Sequence, residues 1–215
     1  MFKHTHLLHR RVSSLFSSVV CAFVLVSGAL STPVATAAPV NFHVDVDATS
    51  ATGTGWLDFY FSSTLNAPGA TATLSNFSAN IGPVDPATSG VYTSGPAGAF
   101  SLTNGPAFNY LSRVVALGGI LSFDLRFNGD FLTSTGAEGS LFSVGLINHD
   151  NFSVGDPTGI ARFDLPGTSA ATITVATDGQ FASVAELPSA VPEPASALLL
   201  LTGLMAMGAL AKRRA

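Results

Sequence analysis

The chain has 215 residues, of which 47% are hydrophobic and only 10% are charged, where roughly a quarter is usual for soluble domains. Residues 38–190 contain no lysine, and their three arginines face twelve carboxylates, which gives this span a net charge of −9. The charge argues against nucleic acid and anionic lipid as partners, since both need a cationic surface. An anionic polysaccharide would likewise need a bridging cation.

Residues 1–37 have the layout of a secretory signal peptide. A basic start precedes an apolar stretch at 15–30, and Ala35 and Ala37 supply the small residues of a cleavage site. We predict cleavage after Ala37 and export by the general secretory (Sec) machinery, with the twin-arginine route as the alternative because of the pair at 10–11. The only cysteine lies in the removed segment, so the expected mature chain has no disulfide and no cysteine metal site.

Short strands dominate the region that follows. Residues 40–47 alternate completely between apolar and polar side chains, which predicts a half-buried strand. The runs at 56–61 and 120–128 predict two more strands, and the Asp-Gly pair at 178–179 predicts a hairpin. A helical turn competes only at 108–117. Further strand candidates are 70–77, 91–93, 100–102, 142–146, 161–165, 172–177 and 180–184.

This series of strands, joined by glycine and proline turns, predicts the fold class. We expect an all-β domain over residues 38–189, built as an antiparallel β-sandwich or jelly roll, with a closed barrel as the alternative. About 150 residues are enough for one domain with a sizeable core. The proline- and glycine-rich stretch at 82–98 is expected to be a long loop, with at most a short strand around 91–93.

Four polar side chains share one face of the first predicted strand: Asn41, His43, Asp45 and Asp47. Residues two apart on a strand are separated by about 6.6 Å, so neighbouring side chains can converge on one ion. Asp45 and Asp47 are therefore candidate ligands for Ca²⁺, which prefers oxygen. The interpretation we favour is a solvated face in a domain that uses aspartate as its surface charge, with no cofactor required.

Aromatic side chains offer a second candidate site. Trp56 and Tyr60 share a strand face with Asp58, and Tyr92 and Tyr110 add two more polar aromatic rings. If Trp56 and Tyr60 were exposed on a sheet face, they would form a stacking surface for a carbohydrate. The placement favoured by the sequence is a two-sheet core that takes these rings.

Catalytic chemistry has little support in the sequence. The expected mature chain has two histidines, His43 and His149, and lacks a Gly-x-Ser-x-Gly elbow. Glu138 and Glu186 make a poor pair for glycoside hydrolysis, because one lies in a polar loop and the other near a linker. The acidic stretch at 149–156 lacks calcium-loop spacing, so we favour turn chemistry there. We predict that the chain is not an enzyme.

Residues 190–215 combine three features in a fixed order: a proline-flanked glutamate, an apolar run and a basic end. A helix over 195–211 would span roughly 25 Å, a little short of the ~30 Å hydrocarbon core. The positive-inside rule then keeps the basic end in the cytoplasm and the triplet outside. The triplet is Pro192, Glu193 and Pro194, and the basic end is Lys212, Arg213 and Arg214.

This layout resembles the PEP-CTERM sorting signal of Gram-negative bacteria. The resemblance implies that the tail anchors the chain transiently in the inner membrane until an exosortase, a membrane transpeptidase, recognises and cleaves it. Four strand segments also resemble one family of PEP-CTERM proteins of uncharacterised function, which implies a shared fold and no known chemistry. They are Gly-x-Leu-Asp-Phe-x-Phe at 55–61, Thr-x-Ser-Asn-Phe at 73–77, Leu-Ser-Phe-Asp-Leu at 121–125 and Ala-Thr-Ile-x-Val at 171–175.

Three classes of function follow from the sequence. The leading expectation is an exported structural or interaction protein of the cell surface or extracellular matrix, associated with biofilm or exopolysaccharide. The alternative is a carbohydrate-binding module, which could depend on Ca²⁺. A hydrolase is the third class.

Overall fold

The structure is a computed structural model that describes residues 38–189, except 88, 106–108, 135–137 and 168–171. The described residues belong to one compact unit, Ala37–Pro192. The predicted signal peptide and the predicted sorting tail lie outside the described residues. Within the described ranges, no helix has the length and apolar character needed to cross a membrane.

Strands account for most of the described chain, with two short 3-10 helices at Pro96–Gly98 and Asp130–Leu132. The strands are β1 (Val40–Asp47), β2 (Thr54–Ser63), β3 (Ala70–Ser75), β4 (Ile81–Val84), β5 (Thr93–Ser94), β6 (Phe100–Thr103), β7 (Asn109–Ala116), β8 (Ile120–Gly129), β9 (Ser140–Ile147), β10 (Ser153–Val154), β11 (Ala161–Leu165), β12 (Thr174–Thr177) and β13 (Ala182–Leu187).

The strands form two antiparallel sheets. The six-stranded sheet has the order β13-β1-β8-β3-β6-β5, and the seven-stranded sheet has the order β12-β11-β9-β2-β7-β4 with β10 beside β9. Every described strand pair is antiparallel. The predicted all-β antiparallel class is therefore confirmed.

One apolar core is shared by the two sheets. Phe59 of β2 and Phe123 of β8 meet edge to face, with ring centroids 5.1 Å apart, and Phe127 of β8 meets Phe142 of β9 at 5.6 Å. All four rings are fully buried, and burial of each contributes about 1.5–3 kcal/mol. Since β8 belongs to one sheet and β2 and β9 to the other, the sheets pack face to face as in a β-sandwich.

The strands with strict alternation lie where the sequence predicts them. In β1 the apolar positions Phe42, Val44 and Val46 are buried and the polar positions between them are half-buried. β8 covers the predicted run at 120–128. Within the region 108–117, where a helical turn competes, Asn109–Ala116 form β7 instead. Pairing of β7 with both β2 and β4 satisfies its backbone as a strand.

The hairpin predicted at 178–179 is wrong. β12 pairs with β11 in the seven-stranded sheet, whereas β13 pairs with β1 in the six-stranded sheet. The Asp178 N–H donates to the Ile160 carbonyl at 2.8 Å, and its own carbonyl accepts from the N–H groups of Phe181 and Ala182. These bonds make a wider turn that carries the chain from one sheet to the other.

The stretch predicted as a long loop from residue 82 begins with a strand. β4 contains Pro83, whose ring nitrogen cannot donate a ladder hydrogen bond. Its place at the edge of the sheet tolerates that loss, and its pairing with β7 shifts register between Ile81 and Val84. The region around 91–93 gives only the two-residue strand β5.

Candidate functional site

Trp56 and Tyr60 lie on the outer face of the seven-stranded sheet. On β2 the alternate residues Leu57, Phe59 and Phe61 fill the core, so the side chains between them point away from it. Trp56 is half-buried, and Tyr60 is 38% exposed. The placement of these two rings in the core, favoured by the sequence, is therefore wrong.

The other two tyrosines have different surroundings. Tyr92 packs against the core, as the sequence favoured. Tyr110 is buried, but it lies directly opposite Tyr60 in the β2–β7 register and so belongs to the outer face. The two outer rings stack with centroids 4.4 Å apart and planes inclined by 22°.

A buried carboxyl group sits beside this stacked pair. Asp58 is 1% exposed and is paired across the strands with Ser112, whose Oγ donates to Asp58 Oδ1 at 2.7 Å. The Tyr60 hydroxyl donates to Asp58 Oδ2 at 3.4 Å. We call Asp58, Tyr60, Tyr110 and Ser112 the tyrosine–aspartate cluster.

Burial controls the charge of the tyrosine–aspartate cluster. It raises the pKa of Asp58, because loss of water disfavours the carboxylate more than the hydroxyl hydrogen bonds favour it. Burial also raises the pKa of Tyr60 and of Tyr110, and the charge of Asp58 adds to both shifts. The two phenols therefore remain neutral hydrogen-bond donors at physiological pH.

Trp56 is held by the loop that follows β4. Its Nε1 donates to Asp85 Oδ2 at 3.1 Å, while Asp85 Oδ1 accepts from the Ala87 N–H at 2.9 Å. The Asp85 N–H in turn donates to the Ser112 carbonyl on β7. The polar edge of the indole is thus engaged within the protein, which leaves Tyr60 as the more accessible of the two predicted ligand-binding residues.

The predicted metal candidates lie on the outer face of the six-stranded sheet. Asp45 Oδ1 accepts a 2.6 Å hydrogen bond from Ser122 Oγ, and Asp47 Oδ1 accepts from both the N–H and the hydroxyl of Thr49. Each carboxylate therefore turns toward a neighbouring hydroxyl group. The described part of the chain contains no group of three His, Cys, Asp or Glu side chains arranged to hold a metal ion.

His43 bridges two carboxylates on that same face. Its Nδ1 lies 2.7 Å from Asp124 Oδ1, and its Nε2 lies 3.4 Å from Asp45 Oδ1. The hydrogen bond to Asp124 raises the pKa of His43, although partial burial opposes it. Burial raises the pKa of Asp124, but hydrogen bonds from His43 and Asn76 act in the other direction and lower this pKa overall.

The acidic stretch at 149–156 has the turn chemistry that the sequence favoured. Asn148 Oδ1 accepts from the N–H groups of Asp150 and Phe152 at 3.0 and 2.9 Å. Asp156 Oδ1 accepts from the N–H and the hydroxyl of Thr158. These side chains shape the backbone of their own loop.

Two antiparallel sheets around one apolar core define the class of this protein as an all-β, sandwich-like domain. No family model matches the chain, and neither the comparison with curated proteins nor that with solved structures found a match. Its function is accordingly inferred from its own residues.

Proposed function

We propose that this chain is an exported protein of the cell surface or extracellular matrix, with a structural or interaction role, and that an exosortase sorts and processes it. In this proposal the chain is the substrate of that enzyme and has no catalytic role of its own. The observation that carries the proposal is the order of features in residues 190–215, where Pro192, Glu193 and Pro194 precede an apolar run and a basic end.

The composition of residues 38–190 supports an extracellular role in contact with polysaccharide. The span has no lysine and a net charge of −9, which keeps such a domain soluble and weakens contact with anionic membranes and nucleic acid. Exopolysaccharide of the matrix is the partner that fits this charge best, either uncharged or bridged by a cation.

A carbohydrate-binding module is the second candidate function. The observation that favours it is the stacked pair of Tyr60 and Tyr110 on an outer sheet face, with Tyr60 38% exposed. Aromatic rings held rigidly at a surface supply contact area at a small cost in side-chain entropy. A module of this kind and a matrix protein are compatible roles for one exported chain.

Mass spectrometry of the protein released by its native cell tests the sorting proposal. We expect a product that starts after Ala37 and lacks Lys212 to Arg214. Glu193→Ala should block removal of the tail, whereas Glu186→Ala, a nearby glutamate outside the triplet, should leave it unchanged. A released product that still carries the basic end would overturn the proposal.

A further inference from the structure

One face of the Tyr60 ring is free of Tyr110. The centroid distance of 4.4 Å in the stacked pair is close to the ~4.8 Å that separates neighbouring strands. The planes of the two rings are therefore roughly perpendicular to the line that runs from β2 to β7. Tyr110 on β7 covers one face of Tyr60. Its other face is turned toward β9, the neighbour of β2 on the opposite side.

Small residues lie next to that free face. Ser143 of β9 is directly opposite Tyr60, and Gly145 is directly opposite Asp58. A Cβ atom added at Gly145 would meet only the Asp58 Cβ, at 3.8 Å. The side chains of β9 therefore project only a short distance from the sheet beside the Tyr60 ring.

Arg162 of β11 is the next residue in the same cross-strand row, directly opposite Ser143. The side chain is half-buried, and its Nε is a buried atom with no hydrogen-bond partner among the described residues. Two strand spacings, roughly 9–10 Å, separate the backbones of β2 and β11. Tyr60 and Arg162 thus form the two walls of a slot whose floor is Ser143 and Gly145.

We propose that this slot binds one pyranose unit of a neutral polysaccharide. The apolar C–H face of the sugar packs on Tyr60, while Ser143 and the Arg162 guanidinium hydrogen-bond its hydroxyl groups. The width of the slot suits one ring, since contacts of about 3.5–4 Å are needed on each side. This inference rests on the proposed role in a polysaccharide matrix and assigns that role a site.

The net negative charge of the domain favours a neutral ligand over an acidic one. Residues 38–190 hold twelve carboxylates against three arginines, so a uronic acid polymer would meet repulsion along most of the surface it follows. A single guanidinium in the slot donates to hydroxyl groups without offsetting that field.

Binding of defined oligosaccharides to the full-length protein in mild detergent tests the slot. The probes are cellohexaose, mannohexaose, chitohexaose and isomaltohexaose as neutral chains, and a hexamer of galacturonic acid as the acidic chain, each titrated by calorimetry. We expect saturable binding of at least one neutral probe and no binding of the acidic one. Absence of saturable binding for every neutral probe, or preference for the acidic probe, would refute the proposal.

Four variants locate the site and separate stacking from folding. Tyr60→Ala should raise the Kd about tenfold or more. Tyr60→Phe should have a Kd within about threefold of that of the natural chain, because the phenyl ring still stacks. Gly145→Val should block the slot at a position with room for the added atoms. Phe152→Ala, which truncates an exposed aromatic ring on another loop, should bind as the natural chain does.

The inference fails if Tyr60→Ala or Gly145→Val binds as tightly as the natural chain. Sorting is read at residues 190–215 by mass spectrometry and does not depend on Tyr60. A correctly processed protein that binds none of the neutral probes would therefore remove the slot and leave the sorting proposal standing. Binding of a neutral probe by a protein whose tail is not removed would support the slot and overturn the sorting proposal.

Discussion

Asp58 on β2 and Ser112 on β7 face each other across the seven-stranded sheet, and the Ser112 hydroxyl donates a 2.7 Å hydrogen bond to the buried Asp58 carboxyl. No basic side chain in the described part of the chain forms an ion pair with Asp58. Hydroxyl donors take that place, so the carboxyl group is hydrogen-bonded while its charge is not compensated. This arrangement predicts a specific dependence of stability on pH.

Asp58→Asn should make the protein more stable relative to the natural chain as pH rises from about 4 to about 7. Burial raises the pKa of Asp58 above its usual 3.8, so the unfolded chain loses this proton at a lower pH than the folded one. The stability that the protonated group contributes is full below the unfolded pKa and is lost as pH rises through the folded pKa. Urea unfolding of both chains across this range measures the difference.

Two further variants complete that experiment. Asp58→Ala leaves the Ser112 hydroxyl buried without its acceptor and should cost about 1–3 kcal/mol. Asp164→Asn, on an exposed site of β11 in the same sheet, should change stability by less than about 0.5 kcal/mol. If the difference in free energy of unfolding between Asp58→Asn and the natural chain stays constant with pH, the pKa of Asp58 is not raised by folding.

His43→Gln should destabilise the protein below about pH 6.5 and have little effect above about pH 8. The pKa of His43 is raised above 6.5 by its hydrogen bond to Asp124. The stability from this pair is therefore complete below the unfolded pKa and is lost as pH rises through the folded one. The His43 side chain is 39% exposed, so solvent screening limits the effect to less than about 1 kcal/mol.

His149→Gln is the matched control for this prediction, since His149 is the other histidine of the domain and lies exposed in a loop. As a substitution at an exposed site, it should change the free energy of unfolding by less than about 0.5 kcal/mol. Equal loss of stability in the His43 variant at both ends of the pH range would instead indicate a packing effect.

Much of the fold follows from local sequence, and the site does not. The alternation in β1 and β8 is a two-residue period that any stretch of chain displays by itself. The neighbours of Asp58 are set by the β2–β7 register, which pairs it with Ser112 and places Tyr110 beside it from a strand that is distant in the sequence. No pattern along the chain identifies Tyr110 or Ser112 as its partners.

The misplaced elements have the same cause. The Asp-Gly pair at 178–179 signals a turn correctly, but turn chemistry does not determine the sheet that each flanking strand joins. Pro83 favours a loop in the sequence, because proline is tolerated in a strand mainly at the edge of a sheet. Only the assembled sheet defines which strand lies at that edge. The aromatic character of Trp56 and Tyr60 favours a place in the core, but it does not say which face of the strand is covered.

Calcium should stabilise the protein no more than sodium chloride of matched ionic strength. Asp45 and Asp47 accept hydrogen bonds from Ser122 and Thr49, and the described residues contain no group of three His, Cys, Asp or Glu side chains that could hold an ion. Both salts reduce the repulsion within a domain of net charge −9. Melting in about 5 mM CaCl₂, in matched NaCl and in chelator compares these effects. A calcium-specific rise that Asp45→Asn removes would restore the metal site.

Arg113→Lys should destabilise the protein by about 2 kcal/mol, because lysine cannot replace a guanidinium in this setting. Arg113 lies opposite Leu57 on the inward side of β7, and its guanidinium carbon is 4.5 Å from the Phe77 ring centroid and 4.8 Å from that of Phe100. Its Nε and Nη2 both donate to the Gly82 carbonyl. A planar guanidinium can stack between two rings and donate twice, whereas an ammonium is a compact ion that strongly prefers water.

Arg113→Met separates the stem of the side chain from its charge. Burial already lowers the pKa of Arg113, and its Nη1 is buried with no partner in the described part of the chain, so the charge is costly where it lies. Methionine keeps the apolar contacts and removes that charge, and we expect it to be less damaging than lysine. Arg126→Lys, at an exposed site on β8, should be within about 0.5 kcal/mol of the natural chain. If Arg113→Lys unfolds at the same urea concentration as Arg126→Lys, the stacked guanidinium does not hold the two sheets together.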